Sequence, residues 1–285
     1  MNTDLPNIRH LSLGELTAYF EGLGEKKFRI QQVHEWLWQK HAHSFDEMTN
    51  LSKDLRQQLE ANFTLPALTL NTTQLSEDGT LKTRFETFDH HMIEGVLIPT
   101  SERKTACVSS QIGCSLSCKF CATGYMERKR NLSYDEIYDQ VVMINQQSEK
   151  HHEKSLSNIV FMGMGEPLAN YRAVVPAIKV MLDDYGFELS RRRVTLSTSG
   201  LVPQINKLAE DCNVALAVSL HAGNDTLRDE LVPINRRHPI KELLEACWSY
   251  ARLYSNRQIT FEYTMLAGVN DTVEHAIQLA RLLKN

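Results

Sequence analysis

From Thr105 onward, short apolar segments alternate with helix-length amphipathic segments, and this rhythm limits the possible folds more than any other feature. Five segments predict strands, at residues 106–109, 158–162, 194–197, 214–220 and 259–265. The 3.6-residue period predicts helices near residues 133–147, 171–184, 203–210, 240–253 and 273–284. Strands joined by crossover helices form a parallel sheet. We therefore expect an α/β fold, a barrel or partial barrel with its chemistry at the carboxyl ends of the strands.

The first 65 residues predict a compact helical unit. Ser12 followed by Glu15 is a capping-box pattern that begins one helix, and Gly22 and Gly24 end it. Further helices are expected over about residues 29–41 and 52–62, and two alternating segments, 81–88 and 92–98, predict a β-hairpin. We divide the chain into a helical accessory domain with a hairpin linker, residues 1–90, and an α/β domain, residues 91–285.

Composition and hydropathy exclude several classes of protein. The chain has 285 residues and no apolar run near the ~20 residues that span a bilayer. Its mean hydropathy is −0.34, and its first residues show neither a signal-peptide nor a transit-peptide pattern. We therefore expect a cytoplasmic protein that does not bind membranes. The net charge of −4 offers by itself no reason to expect nucleic-acid binding.

Three cysteines lie close together directly after the first predicted strand. Cys114, Cys118 and Cys121 have the spacing Cys-x3-Cys-x2-Cys. Three thiolates on one loop can bind three irons of a 4Fe–4S cluster and leave the fourth iron without a protein ligand. The amine and carboxylate of S-adenosylmethionine (SAM) can chelate that iron, and one-electron cleavage of SAM then yields a radical. The loop therefore predicts a cluster that binds SAM.

A zinc site and a coincidental spacing are the alternatives for this loop. Zinc normally takes four protein ligands, often as two separated pairs. No second Cys or His pair with suitable spacing stands out in the sequence. We therefore favour the iron–sulfur cluster.

Further candidates follow the next predicted strands. The run Gly-Met-Gly-Glu-Pro, residues 163–167, follows the second strand. Its glycines would let a ligand approach the backbone, and Glu166 could meet the ammonium group of SAM. Ser and Thr side chains end the third and fourth strands, at residues 195–199 and at Ser219. They either contact the cofactor or cap the helices that follow.

Together these motifs resemble one family of radical-SAM enzymes. The chain is similar to the adenine-C2 methyltransferases of rRNA and tRNA, the RlmN type. The segments that carry this similarity are the cysteine loop, residues 163–167, 192–200, 219–222 and 232–235, and the run 24–29 near the N-terminus. Cfr-type adenine-C8 methyltransferases are relatives, and Pro167 and the Ser-Thr-Ser-Gly run 197–200 favour the C2 branch. The resemblance implies a radical-SAM partial (βα)6 barrel with a small N-terminal helical domain.

The resemblance also assigns roles to individual residues. It implies that Cys114, Cys118 and Cys121 bind the 4Fe–4S cluster. Positions that contact SAM are matched by Gly165, Glu166, Ser197, Ser219, Leu220 and His221. Glu94 matches the proton acceptor, and Cys107 matches the cysteine that resolves a covalent enzyme–RNA intermediate, with a disulfide bond expected as well. From the residues alone, Glu94 would be an exposed strand carboxylate and Cys107 a buried strand thiol.

In this family C2 methylation passes through a methyl-cysteine in a C-terminal segment. This chain ends before that motif and before the strand that would close the barrel, so we expect that it is incomplete, binds a cluster and does not turn over. Cys212 and Cys247 are expected to be core thiols rather than substitutes.

The resemblance implies 23S rRNA and tRNA as substrates, an electron donor such as a flavodoxin or ferredoxin system, and a monomer. Basic residues that could meet RNA are Lys119, the runs 128–130 and 191–193, and Lys26, Lys27 and Arg29 ahead of a helix with Trp36 and Trp38. Three alternatives remain: a C8 methyltransferase, a radical-SAM activase, and a zinc-stabilised RNA-binding module without catalysis.

Overall fold

A mixed sheet organises the computed structural model, which describes residues 5–184, 186–253 and 258–284. The eight strands of this sheet lie in the order β1-β2-β3-β4-β7-β8-β9-β10. Their bounds are β1 Thr69–Leu75, β2 Leu81–Glu86, β3 Met92–Pro99, β4 Lys104–Cys107, β7 Asn158–Phe161, β8 Val194–Thr198, β9 Ala215–Ser219 and β10 Ile259–Glu262. Strands β1 to β4 pair antiparallel, whereas β4, β7, β8, β9 and β10 pair parallel. The expected α/β fold is confirmed, and each predicted strand is present.

Nine α-helices accompany the sheet in the described part of the chain. They are α1 Leu13–Gly22, α2 Phe28–Trp38, α3 Lys53–Asn62, α4 Tyr134–His152, α5 Tyr171–Leu182, α6 Val202–Asp211, α7 Asp225–Leu231, α8 Ile240–Leu253 and α9 Val273–Leu282. Sequence periodicity missed only α7, because seven residues make too few turns to show a 3.6-residue pattern. Across the described ranges, no helix has the length and apolarity needed to span a membrane.

The N-terminal helices form as predicted and share the hydrophobic core of the sheet. The Ser12 hydroxyl accepts a hydrogen bond from the Glu15 amide at 3.2 Å, and Glu15 Oε2 accepts one from the Ser12 amide at 2.8 Å, which completes the capping box. Buried Arg9 donates to Asp139 Oδ1 at 2.6 Å on α4. This contact fixes the helical unit to the rest of the molecule. The domain division at residue 90 stays a prediction.

Trp38 belongs to the same junction. It is buried, and its ring stacks on Tyr134 with 5.6 Å between centroids. Its carbonyl accepts a hydrogen bond from the Tyr138 hydroxyl at 2.6 Å. Trp38 is therefore a packing residue at the junction between the helical unit and α4.

The hairpin of β2 and β3 is confirmed, and it continues the parallel sheet through β4 rather than standing apart as a linker. Register decides which side chains share a face. Val96 pairs with Cys107, Cys107 with Val160, and Val160 with Thr195. Because side chains two positions apart point to the same side, Glu94, Cys107, Ser197, Ser219 and Glu262 all lie on one face. The opposite face packs against helices, since a Cβ on Gly95 would meet Ile144 of α4 at 3.0 Å.

Candidate cofactor site

A cavity of about 160 Å³ lies at the carboxyl ends of the parallel strands. The loop after β4 and the ends of β7, β8, β9 and β10 contribute residues to it. Its wall includes Cys114, Cys118, Cys121, Phe120, Gly163, Gly165, Glu166, Ser197, Thr198, Ser199, Ser219 and Glu262. Active sites of βα folds occupy this edge of the sheet, so the cavity lies where the sequence predicts the chemistry.

The cysteine loop is closed by a second, two-stranded sheet that the sequence did not predict. Strand β5, Gln111–Ile112, pairs antiparallel with β6, Arg130–Asn131. Gly113 has φ +74°, and a Cβ there would lie 2.2 Å from the Glu127 carbonyl oxygen. The loop is also fixed to α7, since the Lys119 amide donates to the Leu231 carbonyl at 3.0 Å. These contacts hold the cysteines against the cavity.

Cys114, Cys118 and Cys121 all line the cavity. Cys118 is buried, and burial raises its pKa to about 11; burial also raises the pKa of Cys114. Metal binding would therefore displace protons from these thiols. No three His, Cys, Asp or Glu side chains in residues 5–184, 186–253 and 258–284 are arranged to hold one metal ion. Three thiols on one loop are the donor set of a 4Fe–4S cluster with three protein ligands.

None of the six cysteines forms a disulfide bond in this structure. The expected disulfide bond is therefore not supported by it. Cys107 lies in strand β4 and Cys247 in helix α8, and both are buried.

Glu166 is a buried carboxylate at the cavity wall. Its Oε2 accepts a hydrogen bond from the Ser199 amide at 2.8 Å, and its Oε1 accepts one from the Leu168 amide at 3.0 Å. Burial raises the pKa of Glu166, and these hydrogen bonds oppose that shift. Glu166 thus links the loop after β7 to the loop after β8.

The glycines beside Glu166 lie where two protein loops approach each other closely. A Cβ on Gly163 would lie 2.7 Å from the Val108 carbonyl oxygen, and one on Gly165 would lie 2.5 Å from the Gln111 side chain. Gly165 also has φ +93°. The glycines therefore allow this close approach of the loops. Both also line the cavity, and their predicted contact with a ligand stays a prediction.

Ser197 and Ser219 both face the cavity and meet a carboxylate that the sequence analysis missed. Their hydroxyls donate to Glu262 Oε2 at 3.1 and 2.8 Å. Glu262 ends strand β10, and a carboxylate inside the predicted strand 259–265 was the available signal. Thr198 differs, because its Oγ1 accepts from the Gly200 amide at 3.1 Å, as expected of a residue that shapes the next turn.

Leu220 and His221 lie beneath the cavity wall. Leu220 is fully buried, and its carbonyl oxygen accepts a hydrogen bond from Arg228 Nε at 3.1 Å. His221 Nδ1 accepts from the Thr264 amide at 3.0 Å, so Nε2 carries the ring hydrogen. Burial lowers the pKa of His221 to about 4, and its ring lies 3.8 Å from that of Phe120, which lines the cavity. Within the described residues, the buried Nε2 has no hydrogen-bond partner.

Glu94 and Cys107 lie on the cavity-facing side of the sheet but outside the cavity wall. Glu94 is about half exposed and pairs with Lys82 Nζ at 2.9 Å. Cys107 is buried, opposite Val96, and burial raises its pKa to about 11. The structure brings Glu94 and Cys107 to neighbouring strands of one face.

Two of the predicted basic contacts with RNA are corrected by the structure. Arg130 pairs with Asp89 and Glu136, each at 2.7 Å, and therefore stabilises the junction beneath the cysteine loop. The run 191–193 precedes β8 and so lies at the amino ends of the strands, away from the cavity. Lys119 and Arg128 remain exposed beside the cysteine loop.

Comparison with known proteins shows the same organisation. A family model described as the ribosomal RNA large subunit methyltransferase N-terminal domain matches residues 6–65, and the radical SAM superfamily model matches residues 108–280. A probable dual-specificity RNA methyltransferase RlmN of Cytophaga hutchinsonii is 48% identical, over 98% of this chain and 76% of that protein. The dual-specificity RNA methyltransferase RlmN of Geotalea uraniireducens is 47% identical, over 98% of this chain and 79% of that protein.

The fold has a close counterpart among solved structures. The crystal structure of a radical SAM methyltransferase from Sphaerobacter thermophilus superposes with a TM-score of 0.90 at 43% identity, covering 98% of this chain and 82% of that one. The fold and the site therefore define a radical-SAM enzyme. Identity of nearly one half over almost the whole chain places it, within that superfamily, in the RlmN family of RNA methyltransferases.

This superfamily implies a 4Fe–4S cluster and SAM, and the residues of the cavity fit both. Three thiols line the cavity, and a cluster with three protein ligands takes this donor set. A buried carboxylate, Glu166, and two hydroxyls paired with Glu262 provide acceptors and donors for a polar cofactor. The unpartnered His221 Nε2 adds a buried donor near the cavity.

Proposed function

We propose that this protein is one of the enzymes that methylate C2 of an adenosine in 23S rRNA and in tRNA. The observation that carries the proposal is the meeting of the cysteine loop, Glu166 and Glu262 at one cavity. The names of its relatives support RNA as the substrate, since they are described as dual-specificity RNA methyltransferases. We place the reaction in the cytoplasm, in a monomer that receives electrons from a flavodoxin or ferredoxin system. Residues 1–90 would act as the accessory RNA-binding domain and residues 91–285 as the catalytic domain.

Cys114, Cys118 and Cys121 would hold the 4Fe–4S cluster, and SAM would lie against Gly165, Glu166, Ser197, Ser219, Leu220 and His221. When bound, these groups supply radical chemistry, which C2 of adenine requires because this carbon is electron-poor and its hydrogen is very weakly acidic. The protein supplies orientation. Glu166 offers a buried carboxylate to the SAM ammonium, and Glu262 with its two serines offers acceptors and donors to the hydroxyl groups of SAM.

Glu94 and Cys107 would act on the RNA base. Glu94 would accept the C2 proton, and Lys82 Nζ lies 2.9 Å from its carboxylate. Cys107 would release the methylated base from the enzyme. Burial raises the pKa of Cys107 to about 11, so this thiol is protonated at neutral pH.

The identity of the methylated atom separates this proposal from its alternatives. Deleting the gene that encodes the chain should abolish 2-methyladenosine in digested 23S rRNA and tRNA, as measured by mass spectrometry. Loss of 8-methyladenosine would indicate the C8 reaction instead, and unchanged RNA would favour a radical-SAM activase. Iron and sulfide analysis of the anaerobically purified protein tests the cofactor, because zinc without iron would contradict every radical-SAM reaction.

A further inference from the structure

Arg228 on helix α7 is a fully buried arginine behind the cavity wall. Its guanidinium donates to three backbone carbonyl oxygens at the carboxyl ends of β8 and β9. Nη2 contacts the oxygens of Ser199 at 2.8 Å and Ser219 at 3.0 Å, and Nε contacts that of Leu220 at 3.1 Å. One side chain thus joins the ends of two neighbouring strands that contribute to the cofactor site.

The charge of Arg228 has no direct carboxylate partner in the described part of the chain. Nη1 donates to Asn235 Oδ1 at 2.8 Å. The Asn235 amide in turn donates to Asp225 Oδ1 at 2.9 Å and to Asp229 Oδ1 at 2.7 Å. The Asn235 side-chain amide therefore lies between the guanidinium and the two carboxylates. This is the contact that the last residue of the Val-Pro-Ile-Asn run, residues 232–235, makes.

Ser199 connects Arg228 to both halves of the cofactor site. Its carbonyl oxygen accepts from Arg228, its amide donates to Glu166 Oε2 at 2.8 Å, and its hydroxyl lies 3.7 Å from the Cys118 sulfur. Leu231 and Val232, at the end of α7, pack against Cys118 as well. A shift of the guanidinium would therefore move the partner of Glu166 and the contact of Cys118 together.

We infer that Arg228 is a positioning residue of the cofactor site, which holds Ser199 in place for Glu166 and Cys118 and supplies a buried positive charge beside the cysteine loop. The inference rests on the proposed function, because it assigns Cys118 to the cluster and Glu166 to SAM. A buried charge acts strongly at short range, since little water screens it. The guanidinium should favour the reduced, more negative form of a group bound to Cys118.

The test uses two substitutions that separate geometry from charge. Arg228→Lys keeps the charge but has no planar fork to reach three carbonyl oxygens, whereas Arg228→Met removes both. Arg236→Met, an exposed arginine five residues after the end of α7, is the matched control. The iron–sulfur-loaded proteins are compared without RNA. Isothermal titration measures the Kd for SAM, a potentiometric titration followed by electron paramagnetic resonance measures the midpoint potential, and thermal unfolding of the cluster-free proteins checks the fold.

We expect Arg228→Lys to raise the SAM Kd about tenfold while keeping the midpoint potential near that of the wild type. Arg228→Met should raise the Kd at least as much and shift the midpoint to a more negative potential. If the methionine variant does not fold, the lysine variant decides.

A folded lysine variant with wild-type affinity for SAM overturns the inference. An equal loss of SAM affinity in Arg236→Met overturns it as well. If the wild-type protein methylates RNA and the Arg228 variants bind SAM normally, only the role of Arg228 is overturned. A protein that binds neither cluster nor SAM overturns the proposed function as well.

Discussion

The Ser219 hydroxyl donates a 2.8 Å hydrogen bond to Oε2 of Glu262, and this contact joins the ends of β9 and β10 at the cofactor cavity. The same oxygen accepts from Ser197 at 3.1 Å. One carboxylate therefore fixes two hydroxyls that belong to different strands. It lies on the last strand of the described sheet, and its partners lie more than forty residues earlier.

Replacing Glu262 with alanine should weaken SAM binding about tenfold, because both serine hydroxyls lose their common acceptor and the cavity loses a carboxylate. Iron content should stay near that of the wild type, since Glu262 is not a thiol ligand. Isothermal titration with SAM measures the first effect and iron analysis the second. Glu245→Ala, an exposed glutamate on α8, is the control, and an equal affinity in both variants would refute a role for Glu262.

Replacing Cys118 with serine should abolish stable iron–sulfur incorporation, because a hydroxyl is a poor ligand for this cluster. Cys247→Ala removes another buried thiol, on α8, and should leave the iron and sulfide content unchanged. Both proteins are reconstituted anaerobically, and iron, sulfide and visible absorption are compared. Retention of a full cluster by the Cys118 variant would show that the three-cysteine assignment is wrong.

Replacing Arg9 with alanine should lower the free energy of unfolding by about 3–5 kcal/mol, because it leaves Asp139 buried without its cation and removes one of the partners of Asp135. Lys40→Ala breaks an exposed pair with Glu35 and should cost less than about 1 kcal/mol. Urea denaturation of both variants measures the difference. Similar losses in the two proteins would mean that the Arg9 contacts do not fix the helical unit to α4.

Stability should fall as the pH drops from about 6.5 to about 4. Burial lowers the pKa of His41 to about 4 from an ordinary value of 6.5, so the unfolded chain binds a proton in this window that the folded protein does not. His41→Asn should remove part of the loss, because asparagine stays neutral and tolerates the φ of 54° found there. Thermal unfolding across this pH range measures the effect, with exposed His151→Asn as control. An unchanged pH dependence in the His41 variant would rule out this source.

Removing Lys119 and Arg128 together by alanine substitution should weaken RNA binding and reduce the slope of log K against log salt by about one to two, because both cations are exposed beside the cysteine loop. Alanine at Arg191 and Arg192 should change neither quantity, since these residues lie at the opposite ends of the strands. Binding is measured by filter retention at several salt concentrations. Equal slopes for the two double variants would contradict the placement of the RNA beside the cysteine loop.

Local patterns in the sequence were enough to predict most of the architecture. Apolar strands and amphipathic helices alternate at recognisable periods, so the five parallel strands and the helices around them follow from residues close together in the chain. The capping box of Ser12 is predictable for the same reason, because both partners lie within one turn. The helix α7 was missed because it is too short for its period to show.

The site residues divide in the same way. The spacing of Cys114, Cys118 and Cys121 and the position of Glu166 after a strand can be read locally. Glu262 and Arg228 cannot, because each matters only through partners on other strands. Arg130 shows the converse. In the sequence it belongs to a basic run that suggests RNA contact, whereas in the structure it pairs with Asp89 and Glu136 and stabilises a junction.

The sequence by itself therefore determined the class of fold, the cysteine loop and the positions of the parallel strands along the chain, since these depend on period and spacing. Only the tertiary structure decided that Arg228 holds Ser199, that Glu262 joins two serines, and that the glycines at 163 and 165 let two protein loops approach each other. Those relationships arise from strand register and crossover connections, which bring together residues separated by tens of positions. No local pattern encodes such contacts, because their energy appears only when the strands pair.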